Sequence, residues 1–194
     1  MAYYFKGAKI LAPLTIASNE PIYDIDTVSL SKQRASQGAQ RWELAFTTAV
    51  SGETEADMLV GVITGLTTAE TMVMPQIPSV VSGNTASASL VINTAAAAGL
   101  SSVTIVNDGT IKKGSFVTFS NHDKLYIVTA DATAGTGPVL IYPSLRTAVA
   151  TTDTFKTGPS ALLTYYRDVD SLTGLTFSDG LLSSAGTISL IEVI

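Results

Sequence analysis

The sequence predicts a mainly β protein, made of a β-sandwich with one helix and a small β-barrel inserted into it. Three observations support this fold class. Apolar and polar residues alternate along several segments, a single segment has helical spacing, and residues 86–157 hold a dense series of short strands separated by turns. Alternation with a period of two is typical of antiparallel strands that bury one face.

Two segments of the first quarter of the chain show this alternation most clearly. We predict strands at Asp26–Lys32 and Gln40–Thr48, joined by a long hairpin loop at Gln33–Ala39, which holds serine and glycine. Trp42 is the single tryptophan, and an aromatic ring in a half-buried strand is more often a core anchor than a ligand-stacking group. The inward-facing side chains of the second strand are Trp42, Leu44 and Phe46.

The segment Ser51–Leu66 has helical spacing instead. Its first turns carry Glu53, Glu55 and Asp57, which complement the positive end of a helix dipole. Carboxylates at i, i+2 and i+4 spread around a helix, so the dipole interpretation is favoured over a metal site. The apolar positions spaced by three and four residues are Met58, Leu59, Val62, Ile63 and Leu66. We predict this to be the only substantial helix.

A further short strand at Met72–Ile77 precedes a small, polar segment, Pro78–Ser89, which we interpret as a domain boundary. Residues 86–157 carry five basic and four acidic side chains, whereas the remaining residues carry six basic and twelve acidic ones. The predicted barrel strands are Ala88–Asn93, Ser102–Val106, Ser115–Ser120, Lys124–Thr129 and Val139–Tyr142. The predicted turns are Asn107–Gly109, Lys113–Gly114, Asn121–Asp123 and Gly135–Pro138, with a tight connection or helical turn at Ala95–Ala98. Five short strands with this spacing favour a small, OB-like barrel.

Composition excludes several classes of chemistry. The chain has no cysteine and one histidine, which excludes disulfide frameworks, thiolate catalysis and cysteine- or histidine-rich metal sites. Its net charge of −5 argues against a basic surface for nucleic acid. The N-terminal segment lacks the basic head and apolar core of a signal peptide, and no apolar run reaches the roughly 20 residues that span a bilayer. We therefore expect a soluble protein that is not exported through a signal peptide.

No catalytic, cofactor or metal set is predicted, and we expect no enzymatic activity. Ser115, Ser120, His122 and Asp123 contain the residue types of a hydrolase, but G-x-S-x-G is missing and Asn-His-Asp is the composition of a turn. The G-x-G of residues 135–137 lacks the third glycine and the helix of a dinucleotide site. For Asp168 and Asp170 a solvated loop is favoured over a weak cation site, because ordinary loops are polar.

One part of the chain resembles a known family. The segment from Gly109 to Thr129, GTIKKGSFVTFSNHDKLYIVT, is followed by VLIYPSLR at residues 139–146. Together they resemble the second half of the distal tail proteins of siphophages, of the T-five type. The family's barrel has similar motifs, which match in kind Lys113-Gly114-Ser115, His122-Asp123-Lys124-Leu125-Tyr126 and Ile141-Tyr142-Pro143. QRWELAFT and the closing GTISLIEVI resemble its first-domain and last strands.

This resemblance implies a structural protein of the phage virion. Residues 1–85 and 158–194 would form the sandwich, which assembles as a hexameric ring between the tail tube protein and the baseplate hub protein. Residues 86–157 would form the inserted OB-like barrel on the outside of the ring. The protein would be made in the host cytoplasm and reside in the tail tip, and DNA would pass through without specific binding.

An acidic lining would let DNA slide through such a ring, because negative walls repel phosphates. The acidic candidates for this lining are Glu20, Asp24, Asp26, Glu43, Glu70, Asp168, Asp170 and Asp179. The alternative function is a carbohydrate-binding module, in which exposed Tyr126 or Tyr142 of the barrel stacks on host-surface glycans. We also expect that residues 86–157 can be replaced by a short linker with little strain, since composition changes at both ends of the segment.

Overall fold

A computed structural model describes residues 3–26, 32–36, 38–49, 52, 54–64, 66–169 and 175–194. The protein is mainly β, as predicted, with an open six-stranded sheet and a closed six-stranded barrel. The strands in the first half of the chain are β1 (Tyr4–Phe5), β2 (Ala8–Asn19), β3 (Ile22–Asp26), β4 (Lys32–Ser36), β5 (Arg41–Ala49), β6 (Glu70–Val73), β7 (Ser89–Ile92) and β8 (Ser102–Asn107). Those in the second half are β9 (Phe116–Phe119), β10 (His122–Val128), β11 (Gly135–Tyr142), β12 (Thr154–Thr157), β13 (Leu162–Arg167), β14 (Thr176–Ser178), β15 (Leu181–Ser184) and β16 (Ile188–Glu192).

The open sheet has the strand order β1-β2-β5-β16-β13-β6, and every neighbouring pair is antiparallel. Strand β16 lies in its middle, pairing with β5 on one side and β13 on the other. The predicted alternation of β5 is confirmed, because Trp42, Leu44 and Phe46 are buried while Arg41 and Glu43 are half-exposed. One face of the sheet therefore carries a core, and the other stays accessible.

Helix α1 (Glu55–Thr64) covers the core face of the sheet and confirms the predicted helix. Met58 and Val62 are buried in the same cluster as Phe46, together with Leu182 of β15. Glu55 and Asp57 lie in the first turn, where the helix dipole favours negative charge. Residue 53, the third acidic position, lies outside the described part of the chain.

The predicted boundary at Pro78–Ser89 contains a second helix, α2 (Pro78–Gly83). This short helix corrects the prediction of an irregular polar segment. Proline stands at its first turn, where the missing backbone N–H costs no hydrogen bond. The preceding strand also differs from its prediction, since β6 ends at Val73 and the following residues to Ile77 are extended without strand pairing.

The barrel closes in the strand order β10-β11-β8-β7-β12-β9, which returns to β10. The five predicted strands are present, and β12 is a sixth that the sequence did not reveal. Strand β12 pairs with both β7 and β9 and so completes the closure. The predicted connection at Ala95–Ala98 contains a bridge from Ala96 to Val149.

The predicted turn at Gly135–Pro138 is wrong, because these four residues are the first half of β11. They pair in continuous register with Thr104–Asn107 of β8. Their glycine and proline content is typical of a turn. The long partner strand holds this segment in the ladder, and its pairing overrides the local composition.

Two hairpins stand outside the sheet and the barrel. Strands β3 and β4 pair only with each other, from Ile22 opposite Ser36 to Asp26 opposite Lys32. The predicted loop at Gln33–Ala39 is therefore wrong over residues 33–36, which belong to β4. The predicted strand Asp26–Lys32 falls mostly on residues 27–31, which lie outside the described residues. The second hairpin joins β14 to β15.

The sheet and the barrel share part of one core. Phe116 and Leu125 of the barrel belong to the cluster that contains Trp42, Leu44 and Leu163 of the sheet. The rings of Trp42 and Phe116 meet edge to face, with centroids 5.4 Å apart. A second buried cluster, around Ile105, Tyr126 and Phe155, lies within the barrel itself. The barrel thus has its own core and also covers one end of the sheet's core.

Candidate functional sites: an open sheet face and a buried ionic junction

The hydrolase-type residues of the barrel have separate partners. Ser115 is fully buried and exchanges hydrogen bonds with the side chain of Asn84. The Ser120 hydroxyl accepts a hydrogen bond from the backbone N–H of Thr154, at 2.9 Å. Asp123 is exposed on β10. The structure therefore does not bring these three side chains together around His122.

His122 has a defined hydrogen-bonding position at the start of β10, where the sequence predicted the middle of a turn. The turn itself is Ser120–Asn121. Nδ1 of His122 lies 2.7 Å from Asn121 Oδ1, and Nε2 lies 2.8 Å from the Tyr126 hydroxyl. An amide oxygen only accepts, so Nδ1 carries the proton and the Tyr126 O–H donates to Nε2. Burial lowers the pKa of His122, which favours this neutral form.

The two tyrosines that the sugar-binding alternative requires are not exposed. Tyr126 has no exposed surface, and its hydroxyl oxygen accepts a hydrogen bond from the backbone N–H of Arg146. Tyr142 is half-buried, packs against the sheet's core and donates to Glu20 Oε2 at 2.5 Å. The expectation of an exposed Tyr126 is therefore wrong, because its ring fills the interior of the barrel.

The open face of the six-stranded sheet is the first candidate functional surface. On its outward side, β2, β5 and β16 present a shallow concavity lined by small and hydroxyl-bearing side chains, together with Glu43 and Asp168. Glu43 Oε1 accepts hydrogen bonds from Asn19 Nδ2 and Arg41 Nε, both at 2.9 Å. The small side chains on this face are Thr15, Ala17, Ala45 and Ser189. Ile191 and Arg41 lie on the same face, so the surface combines short side chains with one apolar side chain, one basic side chain and carboxylates.

The other acidic candidates lie elsewhere. Glu20 contacts Tyr142 of the barrel, and Asp24 forms ion pairs with Lys32 and Arg34 across the hairpin β3–β4. Glu70 pairs with Lys6 at 2.9 Å and accepts from the Tyr165 hydroxyl. Asp26 ends β3, Asp179 lies in the turn between β14 and β15, and residue 170 is outside the described part of the chain.

A buried ionic junction between the sheet and the barrel is the second candidate. Lys124 of β10 contacts Glu192 Oε2 of β16, and these side chains are 4% and 0% exposed. Glu192 also accepts backbone N–H groups, from Trp42 to Oε2 at 2.9 Å and from Leu125 to Oε1 at 2.7 Å. Lys124 Nζ donates a second bond to Gln40 Oε1 at 2.6 Å. Lys124, Gln40 and Glu192 therefore each have a hydrogen-bond partner from across the boundary or beside it.

Sequence reasoning missed this junction, although a signal was present. Ile188, Leu190 and Glu192 alternate along β16, so the glutamate occupies an inward position of the closing strand. Burial lowers the pKa of Lys124 and raises the pKa of Glu192, and the attraction between the two charges opposes both shifts. A charged residue on the buried face of a strand requires a partner of opposite charge. The partner itself lies too far away in sequence to be identified from periodicity.

Exposed apolar side chains lie on both two-stranded hairpins. On the hairpin β3–β4, Tyr23 and Ile25 share one face and are 61% and 63% exposed. On the hairpin β14–β15, Phe177 and Leu181 are 56% and 60% exposed. The register places Phe177 and Leu181 on opposite faces of β14–β15, so only Tyr23 and Ile25 form a grouped apolar face of the kind typical of protein interaction sites.

Comparisons with protein-family models and with curated protein sequences find no match to this chain. Within the described ranges, no three histidine, aspartate or glutamate side chains group closely enough to hold a metal ion. Nor does any helix among those residues have the length and apolarity needed to cross a membrane.

Proposed function

We propose that this protein is a structural, non-enzymatic subunit of a siphophage tail tip. Six copies form a ring that joins the tail tube protein to the baseplate hub protein, and the DNA leaves through the ring. The observation that carries the proposal is the open sheet face. In the described part of the chain nothing covers it, although a six-stranded sheet is large enough to form a wall.

The chemistry of this face suits the wall of a DNA channel. Glu43 and Asp168 supply negative charge, and the neighbouring alanine, serine and threonine side chains are short. Negative charge repels phosphate groups, and the one basic side chain that the structure shows beside Glu43, Arg41, is held in an ion pair with it. The excess of acidic over basic residues outside residues 86–157 agrees with this role.

The exposed hairpins support self-assembly. A hairpin of two strands is only marginally stable in water, so one that projects with an uncovered apolar face requires a partner. Tyr23 and Ile25 form such a face, whereas Asp24, Lys32 and Arg34 hold the opposite side. A surface that docks on a different surface of the next copy makes a head-to-tail contact. Such contacts form a closed ring when the rotation from one copy to the next divides a full turn evenly.

The proposal is tested by measuring mass in solution and by imaging negatively stained particles. We expect six-fold rings with an open centre, formed by the protein alone or on addition of purified tail tube protein. A protein that stays monomeric with and without tail tubes, at low and high salt, would overturn the proposal. Duplex DNA retained on immobilised rings at physiological salt would contradict the acidic channel.

The sugar-binding alternative receives no support from its two named residues. Tyr126 cannot stack on a sugar because it is buried in the barrel, and Tyr142 is half-buried against the sheet with its hydroxyl bound to Glu20. A glycan array probed with the full chain checks this point, and we expect no selective binding.

A further inference from the structure

The ionic junction holds three side chains whose chemistry goes beyond an ion pair. Lys124 Nζ lies 2.6 Å from the side-chain oxygen of Gln40 and also contacts Glu192 Oε2. Gln40 is 3% exposed, and the side chains of Lys124 and Glu192 are 4% and 0% exposed. The amine of Lys124 therefore contacts both a carboxamide and a carboxylate, with almost no access to water.

These are the components of an amide exchange. A lysine amine is a nucleophile once it has lost its proton, and an adjacent carboxylate can take that proton. The apolar surroundings from Trp42, Leu125 and Phe116 disfavour both charges. Accordingly, burial lowers the pKa of Lys124 and raises the pKa of Glu192, so both shifts favour transfer of the proton from amine to carboxylate.

We propose that Lys124 and Gln40 form an intramolecular amide bond, with Glu192 as the proton carrier. Glu192 takes one proton from the lysine ammonium group, and the free amine attacks Cδ of Gln40. The Nζ–Cδ bond forms and the Cδ–Nε2 bond breaks. The attacking nitrogen gives up its second proton, and the departing nitrogen leaves as ammonium with both protons while Glu192 returns to a carboxylate. No oxidant or co-reactant is needed.

The surrounding hydrogen bonds position the three groups for this reaction. Gln40 Nε2 donates to Ser18 Oγ at 2.9 Å, which fixes the orientation of the carboxamide and keeps its oxygen towards Lys124. The backbone N–H groups of Trp42 and Leu125 hold Glu192 from the other side. Glu192 and Lys124 touch the reacting atoms, whereas Ser18 acts only as a positioning residue.

The bond would tie the two parts of the molecule together covalently. Gln40 immediately precedes β5 of the sheet, and Lys124 lies on β10 of the barrel. This inference does not depend on the proposed function, because the reaction requires only the folded chain.

The first test is the intact mass of the purified full-length protein, followed over days of incubation. We expect a loss of about 17 Da, the mass of ammonia, in a fraction that grows with time. Lys124→Arg should retain the full mass, since the guanidinium group stays protonated and does not attack. Lys112→Arg is the matched control, because Lys112 is an exposed lysine paired with Asp131, and it should lose ammonia as the original chain does.

Tryptic peptides identify the bond. Trypsin does not cleave after an acylated lysine, so we expect residues 35–41 joined to an uncleaved peptide of residues 114–146. A loss of about 17 Da that persists in Lys124→Arg reports cyclisation of an asparagine elsewhere and would overturn the inference. So would a constant full mass in protein that circular dichroism shows to be folded. Should Lys124→Arg fail to fold, Glu192→Gln provides the second variant, with the linked peptide expected to be lost.

Discussion

The barrel and the sheet differ in whether their edge strands are paired. Each barrel strand pairs with a neighbour on both sides, so the barrel has no free edge. The sheet ends at β1 and β6, keeps one face open and adjoins a projecting hairpin with an apolar side. Closed barrels satisfy their own backbone, whereas free edges and apolar faces require cover from elsewhere. The barrel strands are thus all paired within one chain, whereas the described part of the sheet has free edges.

The largest effect is expected when the two parts are separated. Replacement of residues 86–157 by a Gly-Ser linker removes Lys124, Leu125 and Phe116 from the sheet. Trp42 then becomes exposed and the Glu192 carboxylate loses its cation. We now expect this trimmed chain to be insoluble or to melt far below the full protein, in contrast to the tolerance that composition alone suggests. Circular dichroism melting curves of both proteins measure the effect.

The reverse separation should be mild. In an isolated barrel of residues 86–157, Phe116 and Leu125 lose their cover and Lys124 enters water, whereas the barrel's own buried cluster stays intact. We expect this fragment to fold, with the marginal stability of a domain of this size. A trimmed sheet that is as stable as the full protein would show that the junction contributes little, and the two parts would then be independent domains.

A single substitution at the junction sharpens the comparison further. Lys124→Met leaves Glu192 buried without its cation, and such a loss costs about 3–5 kcal/mol of unfolding free energy. Lys6→Met is the matched control, because the Lys6–Glu70 pair is 32% and 18% exposed and pairs of this kind contribute about 1 kcal/mol or less. Urea unfolding, carried out on protein that has not lost ammonia, measures the unfolding free energy of both variants. Similar losses in the two variants would contradict the role assigned to burial.

Substitutions on the hairpin should affect assembly rather than folding. Tyr23→Ser combined with Ile25→Ser removes the apolar side of β3, and we expect the ring to dissociate in light-scattering measurements. Unfolding free energy should change by about 0.5 kcal/mol or less, as is usual for exposed positions. Val91→Ser is the control, since Val91 is 59% exposed on the closed barrel. Rings that survive the double substitution would assign assembly to another surface.

The smallest effect concerns pH. Burial lowers the pKa of His122, with Asp123 and Asp153 acting against this shift and Arg146 and Lys124 adding to it. The unfolded chain therefore binds the proton more readily, and stability falls as pH decreases below the unfolded value of about 6.5. His122→Gln should flatten unfolding curves measured between about pH 7 and 5. The lowered pKa values of Asp108 and Asp131 act only at more acidic pH.

Sequence periodicity identifies the parts of this fold in which one strand face is buried. The alternation of β5 is predicted correctly because its buried side chains fall on one face, and the helical spacing of α1 identifies the buried Met58 and Val62. Leu59, also predicted to lie on the apolar face, is 37% exposed. Strand β4 escapes detection, since its KQRAS sequence lies on a hairpin that buries nothing. Strand β12 is only TFKT, with Phe155 as its one apolar residue. Residues 135–138 have the composition of a turn, and they are recognised as a strand only from their pairing with β8.

The junction could not be predicted for a different reason. The alternation of β16 marks Glu192 as inward-facing, but Lys124 and Gln40 become its neighbours only through the way the barrel docks on the sheet. Local patterns report which face of a strand is buried, and a long-range pair requires the tertiary arrangement. The open face of the sheet likewise cannot be predicted from the sequence, because it depends on the strand order.

The central position of β16 has a consequence for the order of folding during synthesis. The strands β5 and β13 cannot join until Ile188–Glu192 has been made, because β16 lies between them. All barrel strands are synthesised earlier, in one contiguous stretch from Ser89 to Thr157. On the ribosome the barrel can therefore close while the edge of β5 that later pairs with β16 is still free. A nascent chain with this order keeps an unpaired strand edge until its last strand emerges, and partly folded chains of this kind are what chaperones bind.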